Sequence, residues 1–219
     1  ASCYIEGNSS IQMSTIGSDS VVGVLPTGAD VVIGTDGGIV VNKPVEEAKF
    51  DVTGDTEFSG KAVKDSEVVV KGKQGETTTV TVEDKFKETD IRNRGKGALE
   101  VEFSGGNFTK GKITSSKSKS SDSISFQGKS TISRGSIKVG KGNDSITFAK
   151  GTKYKGKTTI DLGKGGKDSV VIENNKVKGG NLVITNFTKK DTITIGGKTF
   201  TFKDIKNGAE LPGVKVELR

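Results

Sequence analysis

Four segments in the second half of the chain repeat one pattern, in which an Asp precedes alternating polar and apolar residues. The Asp residues follow one another at intervals of 22, 24 and 23 residues. Because alternate residues of a strand point to opposite faces, each segment predicts a short strand with one apolar face. A repeat of this length is typical of one coil of a β-solenoid. The segments are SDSISF (121–126), NDSITF (143–148), KDSVVI (167–172) and KDTITI (190–195).

A second strand-like segment precedes three of the four Asp residues, and a return rich in Lys and Gly follows each repeat. These second segments are SIKV (136–139), TIDL (159–162) and NLVI (181–184). The sequence therefore predicts an all-β fold, a parallel β-solenoid with 22–24-residue coils and two strands per coil, at least over the C-terminal half. An up-and-down barrel or a sandwich is the alternative.

Regular helix signals are confined to two short segments, 44–50 and 202–207, each long enough for a turn or two. Segment 63–70, which contains Asp65, is predicted to be an earlier copy of the repeat. The segment 200–219 is predicted to cap the C-terminal end of the solenoid, because an uncovered strand edge promotes aggregation.

The composition agrees with a narrow core. The hydrophobic fraction is 31%, and 31 of the 219 residues are Gly. A solenoid interior needs only one apolar side chain at every other strand position, so a chain of this composition is able to fold.

Charge divides the chain into two parts. Residues 1–105 contain 11 Lys and Arg against 18 Asp and Glu, whereas residues 106–219 contain 23 against 9. We therefore divide the chain into an acidic, irregular β region over 1–105 and a basic β-solenoid with its cap over 106–219. The first region is either a set of early coils of one continuous solenoid or a separate attachment domain.

Several residue types needed for common catalytic chemistry are missing. The chain has no His, no Trp and a single Cys, Cys3. These counts exclude a Ser-His-Asp triad, a Cys-His pair, an internal disulfide and a Cys/His zinc site. No segment reaches the ~18 apolar residues of a membrane span. The sequence therefore predicts a protein that is not an enzyme and has no membrane span.

The loop before the second repeat, GKGNDSI (140–146), resembles the nonapeptide repeat of hemolysin-type (RTX) proteins. In that family, Gly carbonyls and Asp carboxylates of successive turns hold Ca²⁺. The resemblance implies carboxylate ligands at Asp144 and Asp168 and carbonyl ligands at Gly140 and Gly142. Here the motif occurs once per coil and Lys residues lie inside the loops, so the repeat is degenerate.

The alternative for these Asp residues is that each caps backbone N–H groups of its own turn, with neighbouring Lys residues offsetting the repulsion between stacked carboxylates. We prefer this interpretation, because a calcium site needs 6–8 oxygen ligands. No cofactor is predicted apart from calcium.

The Lys residues of the basic half form the second candidate site. This half has few Arg, and its Phe residues occupy inward-facing strand positions. A Lys-rich surface of this kind favours sequence-independent attraction to anions over specific nucleic-acid recognition. The candidate binding residues are Lys141, Lys153, Lys155, Lys157, Lys164, Lys167, Lys189 and Lys190.

These observations favour a non-enzymatic structural or adhesive surface protein, such as a phage virion component (capsid decoration, head fibre or tail part). The alternatives are an RTX-like secreted or cell-surface adhesin that binds calcium and a carbohydrate-active β-helix enzyme. We expect protein partners or a homo-oligomer, or an anionic polysaccharide or cell surface, and a location that is extracellular or on a virion. The complementary charge of the two halves favours assembly side by side or head to tail.

Overall fold

The computed structural model describes the main chain of residues 2–4, 9–16 and 19–219, and the side chains from Val21 onwards. In this part of the chain the structure is nearly all-β, with 3% helix, and its parallel coils stack into a β-solenoid of about 7 turns. The predicted fold class is confirmed.

The coils are preceded by antiparallel strands. Strands β1 (Ser2–Tyr4), β2 (Ser9–Ile16) and β3 (Asp19–Pro26) form a meander that pairs with the third strand of the first coil. Strand β4 (Val31–Ile33) runs antiparallel to the first strand of that coil.

Seven coils then follow in chain order. They are built from β5 (Gly38–Val41), β6 (Val45–Glu46) and β7 (Lys49–Val52); β8 (Thr56–Gly60), β9 (Val63–Lys64) and β10 (Glu67–Val70); β11 (Thr77–Val82), β12 (Lys85–Lys87) and β13 (Asp90–Asn93); β14 (Ala98–Ser104), β15 (Asn107–Thr109) and β16 (Lys112–Thr114); β17 (Ser123–Gln127), β18 (Thr131–Ser133) and β19 (Ser136–Lys138); β20 (Ser145–Phe148) and β21 (Lys153–Asp161); and β22 (Ser169–Ile172) and β23 (Gly180–Phe187).

The solenoid has three sides, where the sequence predicted two strands per coil. Sheet I contains the first strand of every coil, sheet II the short second strands and the start of β21, and sheet III the third strands with the end of β21. The sequence predicts no strand in the return that follows each repeat, but the middle residues of the return pair in parallel over two or three positions, as in β12 with β15. We call the three turns corner I–II, corner II–III and corner III–I.

The C-terminal segment covers the last coil. Strand β24 (Thr192–Ile195) extends sheet I and pairs antiparallel with β25 (Lys198–Thr201). Helix α1 (Phe202–Lys206) begins with a capping box between Thr201 and Asp204, which confirms the short helix predicted there. Strand β26 (Val214–Leu218) extends sheet III in parallel with β23.

The core consists of columns of buried apolar side chains that run along the three sheets, and sheet I contributes at least two of them, as with Ile124 and Phe126 of β17. Phe103, Phe126 and Phe148 occupy equivalent positions of sheet I in three successive coils, and neighbouring ring centroids are 5.1 Å apart with interplanar angles of 11° and 8°. All three side chains are fully buried. The predicted inward position is confirmed for Phe126 and Phe148.

Three predictions for the first half need comment. The helix predicted at 44–50 is wrong, because its residues form β6 and the start of β7. Segment 63–70 is not a copy of the Asp repeat, since it contributes to sheets II and III and places Asp65 at a different corner. The charge boundary at residue 105 lies inside the fourth coil, whose strands pair with coils on both sides. The Cys3 side chain lies outside the described residues.

No helix among the described residues combines the length and the apolar composition that a membrane crossing needs.

Candidate functional site

The repeated Asp residues form a buried ladder just before sheet I. Asp122, Asp144, Asp168 and Asp191 are each about 2% exposed. In each step, a carboxylate Oδ1 accepts a hydrogen bond from the main-chain N–H of the equivalent residue one coil earlier. The steps are Leu99 to Asp122 at 2.9 Å, Asp122 to Asp144 at 2.7 Å, Asp144 to Asp168 at 2.9 Å, and Asp168 to Asp191 at 2.8 Å.

This ladder differs from the local cap that the sequence predicted. Asp122, Asp144 and Asp168 bridge two coils, while Asp191 at the end of the ladder also caps its own turn through Oδ2 and the N–H of Thr188. Among the described residues, no Lys forms an ion pair with any of these carboxylates. Main-chain N–H groups therefore provide the stabilisation that was expected from neighbouring Lys residues.

The ladder changes the acidity of its members. Burial raises the pKa of the Asp144 and Asp168 carboxyls to about 7, although the main-chain hydrogen bonds act in the opposite direction. Repulsion from adjacent ladder carboxylates contributes to both shifts. Burial also raises the pKa of Asp122. The ladder can consequently hold protons near neutral pH.

The glycines of the predicted calcium loops have a packing role. A Cβ atom on Gly140 would collide with the carbonyl oxygen of Ser118, and one on Gly142 with that of Ser120. Both glycines therefore let the loops of adjacent coils approach closely. Among the described residues, no group of three or more His, Cys, Asp or Glu side chains could hold a metal ion.

A row of cations lies outside the ladder, on the surface of corner III–I. Eleven exposed Lys and Arg residues occupy six successive loops, and we call this row the basic ridge. In the last five of these six loops, the only acidic residues are the four buried ladder residues. The members of the ridge are Lys71, Lys73, Arg94, Lys96, Lys117, Lys119, Lys141, Lys164, Lys167, Lys189 and Lys190.

A groove opens beside the ridge between the third and fourth coils. It has a volume of about 720 Å³, and its cationic lining comes from Arg92, Arg94, Lys112 and Lys117. Arg92 is also held by Glu67 at 3.6 Å and by Asp90 at 3.4 Å. A guanidinium group offers paired donors to a carboxylate or sulfate group.

The two Arg residues were missed because the first half of the chain is acidic as a whole. The signal that could have found them is the repeat itself, since Arg94 precedes Lys117 by 23 residues. The ridge thus crosses the boundary that the charge count placed at residue 105.

The structure separates the eight predicted binding lysines into two groups. Lys153, Lys155 and Lys157 lie on β21, at sheet II and corner II–III. The remaining five belong to the basic ridge, at a different corner; they are Lys141, Lys164, Lys167, Lys189 and Lys190.

Comparison with known proteins found no matching family model, no matching curated protein and no matching solved structure.

Proposed function

We propose that this chain is a non-enzymatic structural and adhesive surface protein, a rigid rod that binds a linear polyanion along its basic ridge. The observation that carries the proposal is the ridge itself, which presents cations on six successive loops. Parallel strands lie ~4.8 Å apart, so these loops cover ~24 Å in a straight line. An acidic polysaccharide with regularly spaced carboxylate or sulfate groups matches such a row.

The rod supports this role through its rigidity. The seven coils share continuous parallel sheets and one buried core, so the ridge residues keep a fixed spacing. A binding surface that is already ordered avoids part of the entropy cost of association. We place the protein outside the cell or on a virion, where a phage decoration protein, head fibre or tail part would meet surface polysaccharides.

The test is binding of fluorescent dextran sulfate, with neutral dextran as the reference polymer. Charge reversal on the ridge in the variant K117E/K141E/K167E should weaken binding at least ~10-fold, because three attractive contacts to the polyanion are replaced by repulsion. The control K129E/K150E/K176E makes the same change in net charge at corner I–II and should bind nearly as well as the unmodified protein. Equal losses in both variants would contradict a ridge-specific site.

Two further measurements complete the test: the salt dependence of binding and the release of sugar from a polysaccharide. Binding should weaken steeply between 50 and 500 mM NaCl, since exposed charges are screened at high ionic strength. Incubation with polygalacturonate should release no reducing sugar. If the highly purified protein still released reducing sugar, that result would favour the carbohydrate-active enzyme.

A calcium-binding adhesin is the second candidate, and one observation favours it. The Oδ2 atom of Asp144 is buried and, among the described residues, has no hydrogen-bond partner. Its Oδ1 is already engaged by the N–H of Asp122. The polyanion-binding rod is preferred because its surface is preformed.

A further inference from the structure

One edge of the rod, at corner II–III, carries a charged residue in a left-handed backbone conformation in each of five successive coils. Each N–H of this column donates to the carbonyl oxygen that precedes the equivalent position of the next coil, as from Glu88 to Thr109. We call this column the charged edge. Its members are Glu47 (φ 57°), Asp65 (φ 45°), Glu88 (φ 48°), Lys110 (φ 54°) and Arg134 (φ 52°).

The backbone of the charged edge would suit glycine better than the residues it holds. A positive φ costs a non-glycine residue of order 1 kcal/mol or more. In the sixth coil the position is filled by Gly156 (φ 62°), followed by the exposed Lys157. All five edge side chains are exposed, and none forms an ion pair with a described residue. Among the described residues, no ion pair of these five side chains offsets the cost of their positive φ.

The order of charges along the edge is self-complementary. Three acidic residues are followed by two basic residues and then Lys157. A second copy turned antiparallel, about a two-fold axis between the third and fourth coils, brings the acidic residues opposite the basic end of the edge. Glu88 then faces Lys110, and Asp65 faces Arg134. Glu47 faces Gly156, where the adjacent Lys157 supplies the positive charge.

The columns of residues on either side of the charged edge also bring no like charges together. On the sheet II side, Glu46 comes opposite Lys155, and on the sheet III side, Asp90 comes opposite Lys112. The other four flanking pairs each place a charged residue opposite a neutral one. Across the three columns no pair has like charges; these four pairs are Lys64 with Ser133, Lys87 with Thr109, Lys49 with Thr159, and Glu67 with Ser136.

We propose that the protein forms an antiparallel two-fold dimer through the charged edge, with a second copy of this chain as the partner. An isologous interface needs a surface that is complementary to itself, and the reversed order of charge provides it. Parallel packing would bring identical charges together in every coil. Sheet I lies opposite the charged edge, so the dimer leaves that side of both rods exposed.

The oligomeric state tests the dimer. By sedimentation equilibrium, the full chain should be dimeric at 50 mM NaCl, and its dissociation constant should rise at least ~10-fold at 500 mM NaCl. The variant K110E/R134E should be monomeric. The control K129E/K150E changes the net charge equally at corner I–II of the fifth and sixth coils and should remain dimeric. Exchanging the charges in D65K/E88K/K110E/R134E should restore the dimer.

Disulfide trapping tests the orientation. With Cys3 replaced by Ser, a mixture of D65C and R134C chains should form a mixed disulfide, whereas neither variant should do so efficiently alone. A monomer at 50 mM NaCl and 100 μM protein would overturn the dimer, as would persistence of the dimer in K110E/R134E. Rapid cross-linking of D65C with itself would overturn the antiparallel arrangement. None of these readouts depends on polyanion binding, so failure of the dimer and failure of the proposed function are separately visible.

Discussion

The main-chain N–H of Asp144 donates a hydrogen bond of 2.9 Å to Oδ1 of Asp168, the residue at the same position of the next coil. Each of the two residues is thus an acceptor toward one coil and a donor toward the other. The ladder joins successive loops at corner III–I in the same way that main-chain hydrogen bonds join the sheets. It also buries ionisable groups along the side of the rod that carries the basic ridge.

The ladder predicts that stability falls as the pH rises toward neutrality. The Asp144 and Asp168 carboxyls have an ordinary pKa of 3.8 when unfolded and a pKa of about 7 when folded. The folded protein therefore binds more protons between these values, and stability is lost as pH rises from about 4 to about 7. The melting temperature should be several degrees higher at pH 5 than at pH 8. An unchanged value would contradict the burial effect.

The variant D144N isolates one member of the ladder. Asn keeps an Oδ1 acceptor for the N–H of Asp122 but carries no charge. We expect it to stabilise the protein by about 1–2 kcal/mol at pH 8, which corresponds to a few degrees in melting temperature, and to lose this advantage near pH 4. D204N is the control, because Asp204 is an exposed capping residue whose pKa is lowered by the hydrogen bonds it accepts from Thr201. Removing the charge of Asp204 should therefore not stabilise the protein at pH 8.

Asp84 is another buried carboxyl group, and it lies outside the ladder. Its side chain is 1% exposed, and neither carboxylate oxygen has a hydrogen-bond partner among the described residues. Burial, and secondarily the charge of Glu83, raises its pKa to about 7. The same corner holds Ser130 and Thr152 in later coils, where their hydroxyls donate to the carbonyl oxygens of Phe103 and Phe126.

We therefore expect D84S to be more stable than the unmodified protein at pH 8, by about 1–3 kcal/mol, because it removes a buried carboxylate and supplies a donor hydroxyl. Urea unfolding at pH 5 and pH 8 measures the difference, which should be larger at pH 8. The exposed neighbour variant E83Q should have a much smaller effect. Destabilisation by D84S at both pH values would show that the carboxylate has a partner that supports it.

The coils could be predicted from the sequence where two apolar residues recur at fixed positions after a repeated Asp. Ile146 and Phe148 follow Asp144 in the way that Ile124 and Phe126 follow Asp122, and the spacing gives the coil length. Sheet II could not be predicted, because a strand such as Val63–Lys64 has two residues and offers no alternation to recognise. Its pairing depends on the neighbouring coils.

The candidate site was predicted in part for the same reason. Lys141 and Lys167 lie within the recognised repeats, so their place in one row followed from the repeat. Arg94 precedes the first recognisable repeat and was not included. The charged edge could not be predicted from the sequence. The left-handed conformation at Glu88 or Lys110 results from stacking between coils, and these residues give no local signal of the kind that Gly or Asn provides.

Gly142 provides a test of coil stacking. A Cβ atom there would collide with the carbonyl oxygen of Ser120 in the preceding coil, and main-chain atoms cannot move aside without breaking the stack. We expect G142A to destabilise the protein by about 2–4 kcal/mol, as overpacking of a rigid interior does. Thermal and urea unfolding measure this loss.

Gly165 is the matched control, since it has φ 91° and no atom within 4 Å of its Cβ position. G165A should therefore show only the conformational cost of a positive φ, about 1–2 kcal/mol. If G142A cost no more than G165A, close approach of the loops would not be the reason for glycine at position 142.

Calcium titration separates the two interpretations of the Asp loops. We expect millimolar CaCl₂ added to chelator-treated protein to leave the melting temperature almost unchanged. Oδ1 of Asp144 and of Asp168 already accepts a main-chain N–H, and a calcium ion needs 6–8 oxygen ligands. MgCl₂ at the same ionic strength is the control for general screening. A rise of many degrees that is specific to calcium and is lost in D144N would instead show that the ladder opens to bind the ion, as the resemblance to RTX repeats implies.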